Sequence, residues 1–330
     1  MKLVTKPLFP EIPHQIIEAI ERHNEVIVIG HKNPDGDCIF SSFALAHILT
    51  YLGKSVTLLN QGEFRNDDIR EYEKYFLKKA PEELLKRDPL VAVVDCSTQD
   101  RPGEIFSPLI NLETIVFDHH SSGEPFTKEG MSYIVPLSTS TTLILDKLRR
   151  TLNVPLDKEL ASYLYMGFAT DSGFFHFINE KVGGEVLRIV STFVDAGVSP
   201  YNVYDILHDG KSLNYFKTVG SLLDHTVSVC EGKILYTVLE KDITTDGRPG
   251  DVIYANLLQV KGVKIIFFFK ELEGEVEVGM RSKNLSGIDI GAFASSLGGG
   301  GHKYAAGATI PGSLKNVIDL TIQKASALVE

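Results

Sequence analysis

Hydrophobic residues run through the first third of the chain in short, nearly unbroken stretches rather than in alternation. EVIVIG at 25–30, VTLLN at 56–60, LVAVV at 90–94 and TIVF at 114–117 are each strand-length and rich in β-branched residues. Such runs, separated by segments of helical periodicity like the one over 39–52, predict parallel strands buried on both faces. Helical patterns then take over at 141–150, 158–170 and 184–196. Beyond residue 209 the rhythm changes. Apolar runs flank Glu231-Gly232 and again Glu273-Gly274, as the arms of hairpins do, and a helical pattern over 289–297 ends in four glycines. The expected architecture is α/β: an N-terminal doubly wound parallel-sheet domain over 1–196, a connector over 197–215, and a smaller mixed α/β domain over 216–330, with a cleft between the domains.

In open parallel sheets, ligands gather beyond the carboxyl ends of the strands. Three of the four predicted strands run straight into groups that can hold a metal ion. HKNPDGD supplies His31, Asp35 and Asp37; VVDCS supplies Asp95; FDHH supplies Asp118, His119 and His120. A further acid, Asp171 in ATDSGFF, closes an apolar helical pattern. Taken singly, each has an ordinary reading as a turn or a helix cap. Taken together they demand more, because converging carboxylates repel one another unless protons or cations intervene. A pair of divalent ions resolves that conflict. Mixed imidazole and carboxylate donors suit Mn²⁺, with Zn²⁺, Fe²⁺ or Co²⁺ compatible by ligand type, and two adjacent ions clamp a phosphoryl group for attack by hydroxide.

Charge narrows the substrates. The chain carries 33 Lys and Arg against 43 Asp and Glu, so 33 − 43 = −10, which disfavours long duplex nucleic acid but not a small phosphorylated ligand met by a metal ion. Cys38, Cys96 and Cys230 form no C-x-x-C pair, which points to a reducing compartment rather than a disulfide scaffold. The N-terminal MKLVTKPLFPEIPHQ lacks the unbroken apolar stretch of a signal peptide, and the longest apolar run, Ile265 to Phe269, is far too short to span a bilayer. A soluble, cytoplasmic protein without a membrane partner is the expectation. STSTT at 138–142 reads as a helix cap, with contact to a phosphate as the alternative, and Phe174, Phe175 and Phe177 as core packing, with stacking on a base as the alternative.

HKNPDGDC, VVDCS, FDHH and ATDSG together resemble the four signature motifs of the DHH phosphoesterases, named for their Asp-His-His triplet. VGMRSK at 278–283 and GGGGHKYAAGA at 298–308 resemble the DHH-associated domain that follows in part of that superfamily, so the resemblance spans nearly the whole chain. It is most similar to the oligoribonuclease and pAp-phosphatase group, the nanoRNases. The resemblance implies an Mn²⁺-dependent phosphoesterase with two divalent ions. His31 and Asp35 would hold one ion, Asp37, His119 and Asp171 the other, with Asp95 bridging. His120 would contact the scissile phosphate, and Asp118 would orient a neighbouring histidine. The same comparison makes His120, Asp95 and Arg281 the catalytic group. The family's first motif usually ends in Ala, where this chain has Cys38, read as a small packing residue.

Gly298 to Gly301 precede Lys303-Tyr304-Ala305-Ala306, which reads as a helix start. A glycine loop opening a helix exposes backbone N–H groups that cradle phosphate, so Gly299, Gly300, Gly301 and His302 are substrate-binding candidates. Arg281, by its match to the family motif, would clamp the substrate's terminal phosphate or base, with Lys283 beside it. The implied substrates are short single-stranded RNA oligonucleotides, linear dinucleotides such as pApA, or 3′-phosphoadenosine 5′-phosphate, with a homodimer left open. Hydrolysis of cyclic di-AMP, of pyrophosphate or of polyphosphate are the alternatives within the superfamily.

Overall fold

The structure is a computed structural model that describes residues 8–64, 67–120, 126–245, 247 and 249–329. It divides into two units, Met1–Asp209 and Gly210–Glu330. The division falls inside the 197–215 stretch.

Unit 1 contains, in chain order, α1 (His14–Arg22), β1 (Glu25–Ile29), α2 (Gly36–Tyr51), β2 (Ser55–Leu59), α3 (Asp67–Arg70), α4 (Glu82–Leu85), β3 (Leu90–Val94), β4 (Thr114–Asp118), β5 (Ser132–Ile134), α5 (Thr141–Thr151), α6 (Lys158–Asp171), α7 (Gly183–Asp195) and α8 (Pro200–His208). Among the described residues the strands form one parallel sheet in the order β2-β1-β3-β4-β5. Alternate residues serve opposite faces. Val26, Val28, Leu90, Ala92 and Val94 enter a core with α2, α5 and α6, while Ile27, Ile29, Val91 and Val93 pack against Leu84, Ile105, Phe106 and Leu109. Both faces are therefore covered, which is why the strands read as continuous apolar runs. Helix α2 is buried over most of Gly36 to Leu49, with Phe43, Ala46 and His47 half-buried, and its apolar residues are correspondingly spread around the helix.

Strand order reverses direction between β1 and β3, so the crevice beyond these two strand ends is the switch point of the sheet. Register brings the ends level. Ile29 pairs with Val93 and Val94 pairs with Phe117, so His31, Asp95 and the Asp118-His119-His120 triplet leave the sheet along one edge.

Unit 2 contains α9 (Leu213–Asp224), β6 (Val227–Val229), β7 (Ile234–Leu239), α10 (Pro249–Leu257), β8 (Ile265–Glu271), β9 (Glu275–Ser282), α11 (Ile290–Ser295), β10 (Gly300–His302), β11 (Ala305–Pro311) and α12 (Leu314–Ser326). Its sheet runs β10-β11-β9-β8-β7-β6. Only β7 and β8 are parallel, joined through α10, and the other pairs are antiparallel. Both expected hairpins form. Glu231 and Gly232 turn with φ of 57° and 80°, and Gly274 with 77°, the left-handed region that such turns require.

Two expectations are corrected. The residues after the glycines do not open a helix. They form a β-hairpin in which Gly300 pairs with Gly307, Gly301 with Ala306 and His302 with Ala305. The alternating burial of Ala306, Ala308 and Ile310 is the period of a strand, and a side chain at Gly299 would run into the carbonyl of Gly307. The three phenylalanines are not uniformly core. Phe174 packs beside Tyr204, ring centroids 5.0 Å apart, whereas Phe177 is 69% exposed. All three cysteines are free, with Cys38 and Cys96 buried. Among the described residues no helix is long and apolar enough to cross a membrane.

Candidate active site

Asp95 follows the last residue of β3 and adopts φ of 60°. That is the left-handed region, which Asp tolerates better than most non-glycine residues. Its Oδ1 accepts from the Thr141 hydroxyl at 2.9 Å, its Oδ2 stands 3.4 Å from His31 Nε2, and its Oδ1 lies 3.6 Å from His119 Nε2. A single buried carboxylate thus faces histidines from two other strand ends.

Asp37 sits in the first turn of α2 yet serves the start of α5 as well. Its Oδ2 accepts from the Thr141 amide at 2.6 Å and its Oδ1 from the Thr142 amide at 3.2 Å. The partial positive ends of two helices meet this acid. Helix α6 closes over the pair. A Cβ at Gly167 would stand 2.8 Å from Asp37 Oδ1 and collide with the Thr142 side chain, so the mid-helix glycine of YLYMGFAT marks a close approach.

Asp35 caps α2, its Oδ1 accepting from the Cys38 amide at 3.1 Å while Oδ2 lies 3.8 Å from His31 Nε2. At the end of α6, Asp171 Oδ2 approaches His119 Nε2 to 3.2 Å, and the other nitrogen of His119 faces the Ser138 carbonyl at 3.2 Å. Asp118 takes His120 Nδ1 at 2.8 Å and the His120 amide at 3.1 Å, the orienting contact expected of it.

Among the described residues, three sets of donor atoms each fall within 4.8 Å of one another: Asp37, His119 and Asp171; Asp95, His119 and His120; His31, Cys38 and Asp95. Asp95 and His119 each belong to two. Cys38 joins His31 and Asp95 in one set, with Asp35 beside the same histidine at 3.8 Å, and His120 joins Asp95 and His119 in another.

The donor chemistry fits divalent cations. Among the described residues, the Nε2 atoms of His31 and His119 are buried without a hydrogen-bond partner, an expensive condition unless something else occupies them. Burial and the neighbouring Asp95 push the Asp37 carboxyl up to about 7, and burial with Asp37 holds Asp171 well above the usual carboxylate range. Burial alone would lower His119, but Asp171, Asp37 and Asp95 outweigh it and lift the imidazole to about 9. Acids and imidazoles here compete for protons that a cation would replace.

The STSTT segment does more than cap. Ser140 Oγ accepts from the Leu143 amide at 3.4 Å as the cap of α5, while Thr141 and Thr142 hold Asp37 and Asp95. The sequence suggests a cap or a phosphate contact, but hydroxyls crowded at a helix start are also what buried acids need as donors. Thr141→Val keeps the amide to Asp37 but deletes the hydroxyl to Asp95. Loss of such an outer partner is expected to weaken metal affinity or activity roughly 10- to 100-fold, measured by competition with a chelator of known affinity.

In unit 2, Arg281 lies on β9 with its guanidinium carbon 4.4 Å above the ring centroid of Tyr254 on α10, and NH1 donating to the Met280 carbonyl at 3.0 Å. Lys283 follows the end of β9, its amide bonded to the Lys264 carbonyl at 2.9 Å. Gly300 and Gly301 lie in β10 and Gly299 just before it; the side chain of His302 lies outside the described residues.

The sequence pattern of the DHH family, N-terminal domain, matches residues 25–168, and that of the DHHA1 domain matches 231–330. The bifunctional oligoribonuclease and PAP phosphatase NrnA of Thermus thermophilus is 29% identical over 90% of this chain and 87% of its own length. A probable manganese-dependent inorganic pyrophosphatase of Oceanobacillus iheyensis is 30% identical, but over 45% of this chain and 48% of its own. In fold, the chain is similar to an exopolyphosphatase-related protein of Bacteroides fragilis, with a TM-score of 0.84 at 22% identity over 96% of both chains.

Proposed function

The chain belongs to the DHH family and continues into a DHHA1 domain, and from that premise we propose that it is a metal-dependent phosphoesterase acting on short oligoribonucleotides or on 3′-phosphoadenosine 5′-phosphate. The observation that carries the chemistry is the convergence of His31, Asp37, Asp95, His119 and Asp171, with two buried imidazole nitrogens that find no hydrogen bond among the described residues. Two divalent cations, when bound, supply Lewis acidity and lower the pKa of water for in-line attack at phosphorus. His31 with Asp35 would hold one, Asp37, His119 and Asp171 the other, and Asp95 would be shared. Mn²⁺ suits this mixture of carboxylate and imidazole.

The remaining work falls to the chain's own groups. Thr141 and Thr142 hold the acids in place, so little reorganisation is left for the moment of reaction. His120, fixed by Asp118 through Nδ1, meets a phosphoryl oxygen with its other ring nitrogen. An N–H donated to that oxygen offsets charge that builds during attack. Arg281, Lys283 and the Gly299–Gly301 strand of unit 2 take the remote end of the substrate, the arginine through the paired donors that suit phosphate. The glycines supply backbone without side chains instead of the helix N-terminus that the sequence suggested.

Short oligonucleotides are favoured over pyrophosphate because the similarity to the oligoribonuclease and PAP phosphatase spans both domains, while that to the pyrophosphatase stops at less than half the chain. The test is one panel of substrates after exhaustive stripping with EDTA. Mn²⁺ is expected to restore hydrolysis of pApA, with pyrophosphate and cyclic di-AMP turned over more slowly and Ca²⁺ restoring little. Full activity in excess chelator would refute the metal requirement, and faster turnover of pyrophosphate than of pApA would refute the substrate.

A further inference from the structure

We propose that Tyr254 is a positioning residue for substrate, its ring the platform that holds the Arg281 guanidinium in the orientation needed to grip the remote phosphate; the proposal rests on the substrate reading of Arg281 given above. Tyr254 lies on α10 with only 7% of its surface exposed. It reaches over the sheet because of a glycine. A side chain at Gly279 would run into its hydroxyl, so the bare backbone of β9 is what admits the ring. The bare lane continues, since Gly279 pairs with Gly307 on β11 and Gly307 with Gly300 on β10, placing three glycines in one row on one face. Arg281 stands in the next row of that face, paired with Ala305.

An aromatic residue at this point has an apolar explanation, as filler between α10 and the sheet. The contacts argue against filler alone. The edge of Phe268 steadies the ring, centroids 6.3 Å apart, while the face carries a cation at 4.4 Å rather than an alkyl group. Among the described residues, no acid pairs with Arg281; the ring and the Met280 carbonyl are the partners recorded for it. A guanidinium fixed by a flat surface loses fewer rotamers when it meets an anion, and its charge is not cancelled beforehand. The Tyr254 hydroxyl has no hydrogen-bond partner among the described residues, so the ring is the part the proposal needs.

Steady-state kinetics of the Mn²⁺-loaded full chain on pApA test this, with thermal melting as the check of folding. Tyr254→Leu is expected to raise KM about three- to thirtyfold with kcat nearly constant, the range spanned by exposed to desolvated cation–π pairs. Tyr254→Phe, which keeps the ring, should stay within about twofold of the parent. In an Arg281→Ala background, Tyr254→Leu should add nothing further, because the platform then supports no one. If the leucine variant is unstable, Tyr254→Met removes the π face at similar bulk and must raise KM in its place. Additive losses in the double variant, or a phenylalanine variant as impaired as the leucine, would overturn the platform. A sensitive Arg281→Ala beside a silent Tyr254→Leu would remove the platform alone. An Arg281→Ala chain with unaltered KM would remove both this proposal and the substrate reading beneath it.

Discussion

Asp95→Ala is expected to leave a folded protein that turns over pApA slower by on the order of a thousandfold or more. Asp95 is the acid that faces both His31 and His119, and it takes the Thr141 hydroxyl while held in left-handed backbone. Its removal strips a shared carboxylate from two donor sets and leaves two buried imidazoles with no acid between them. Asp95→Asn separates charge from backbone, since Asn accepts the same φ and fills the same volume. It should lose turnover like the alanine variant while melting close to the parent. Metal content and circular dichroism are to be read on the same samples. Retention of two metals with full activity in either variant would end the assignment of Asp95 as the shared ligand.

A fragment ending at Asp209 is expected to bind divalent cations as the full chain does and yet to lose nearly all activity on dinucleotides. Every proposed metal ligand precedes residue 172, and unit 1 ends at Asp209 with hydrophobic cores on both faces of its own sheet. What the fragment lacks is Arg281 and the glycine-bearing strands. Metal stoichiometry by chelator competition and the rate on pApA decide the matter. A fragment that cleaves pApA as fast as the full chain would show that unit 2 is not the substrate domain.

Unit 1 was legible because its strands are buried on both faces and end in acids and histidines. β1, β3 and β4 announced themselves as apolar runs, and the donors followed directly after them. β5 escaped notice, since three residues at the sheet's end carry too little pattern. α12 and α8 lie in sequence whose polar faces obscure the periodicity. The glycine segment misled for a different reason. Ala-rich sequence after glycines satisfies helix propensity, but pairing with β9 along Ala305 to Pro311 decided the outcome, as tertiary contacts override local preference. Thr141 and Gly167 were visible as a hydroxyl cluster and a mid-helix glycine, yet only proximity reveals what they touch. Tyr254 left no signal at all, because nothing in α10 indicates that a glycine on β9 makes room for it.

That every proposed ligand precedes residue 172 has a consequence in time rather than in space. Domains generally fold in the order in which they are made, at roughly 5–20 residues per second during synthesis. Unit 2, residues 210 to 330, is 121 residues long, so about 6 to 24 seconds separate the completion of the two halves on the ribosome. During that interval the nascent chain carries the proposed metal ligands without the residues proposed to grip the substrate. On the function proposed above, reactivity and selectivity would thus be made at different times, the groups for the first ahead of those for the second.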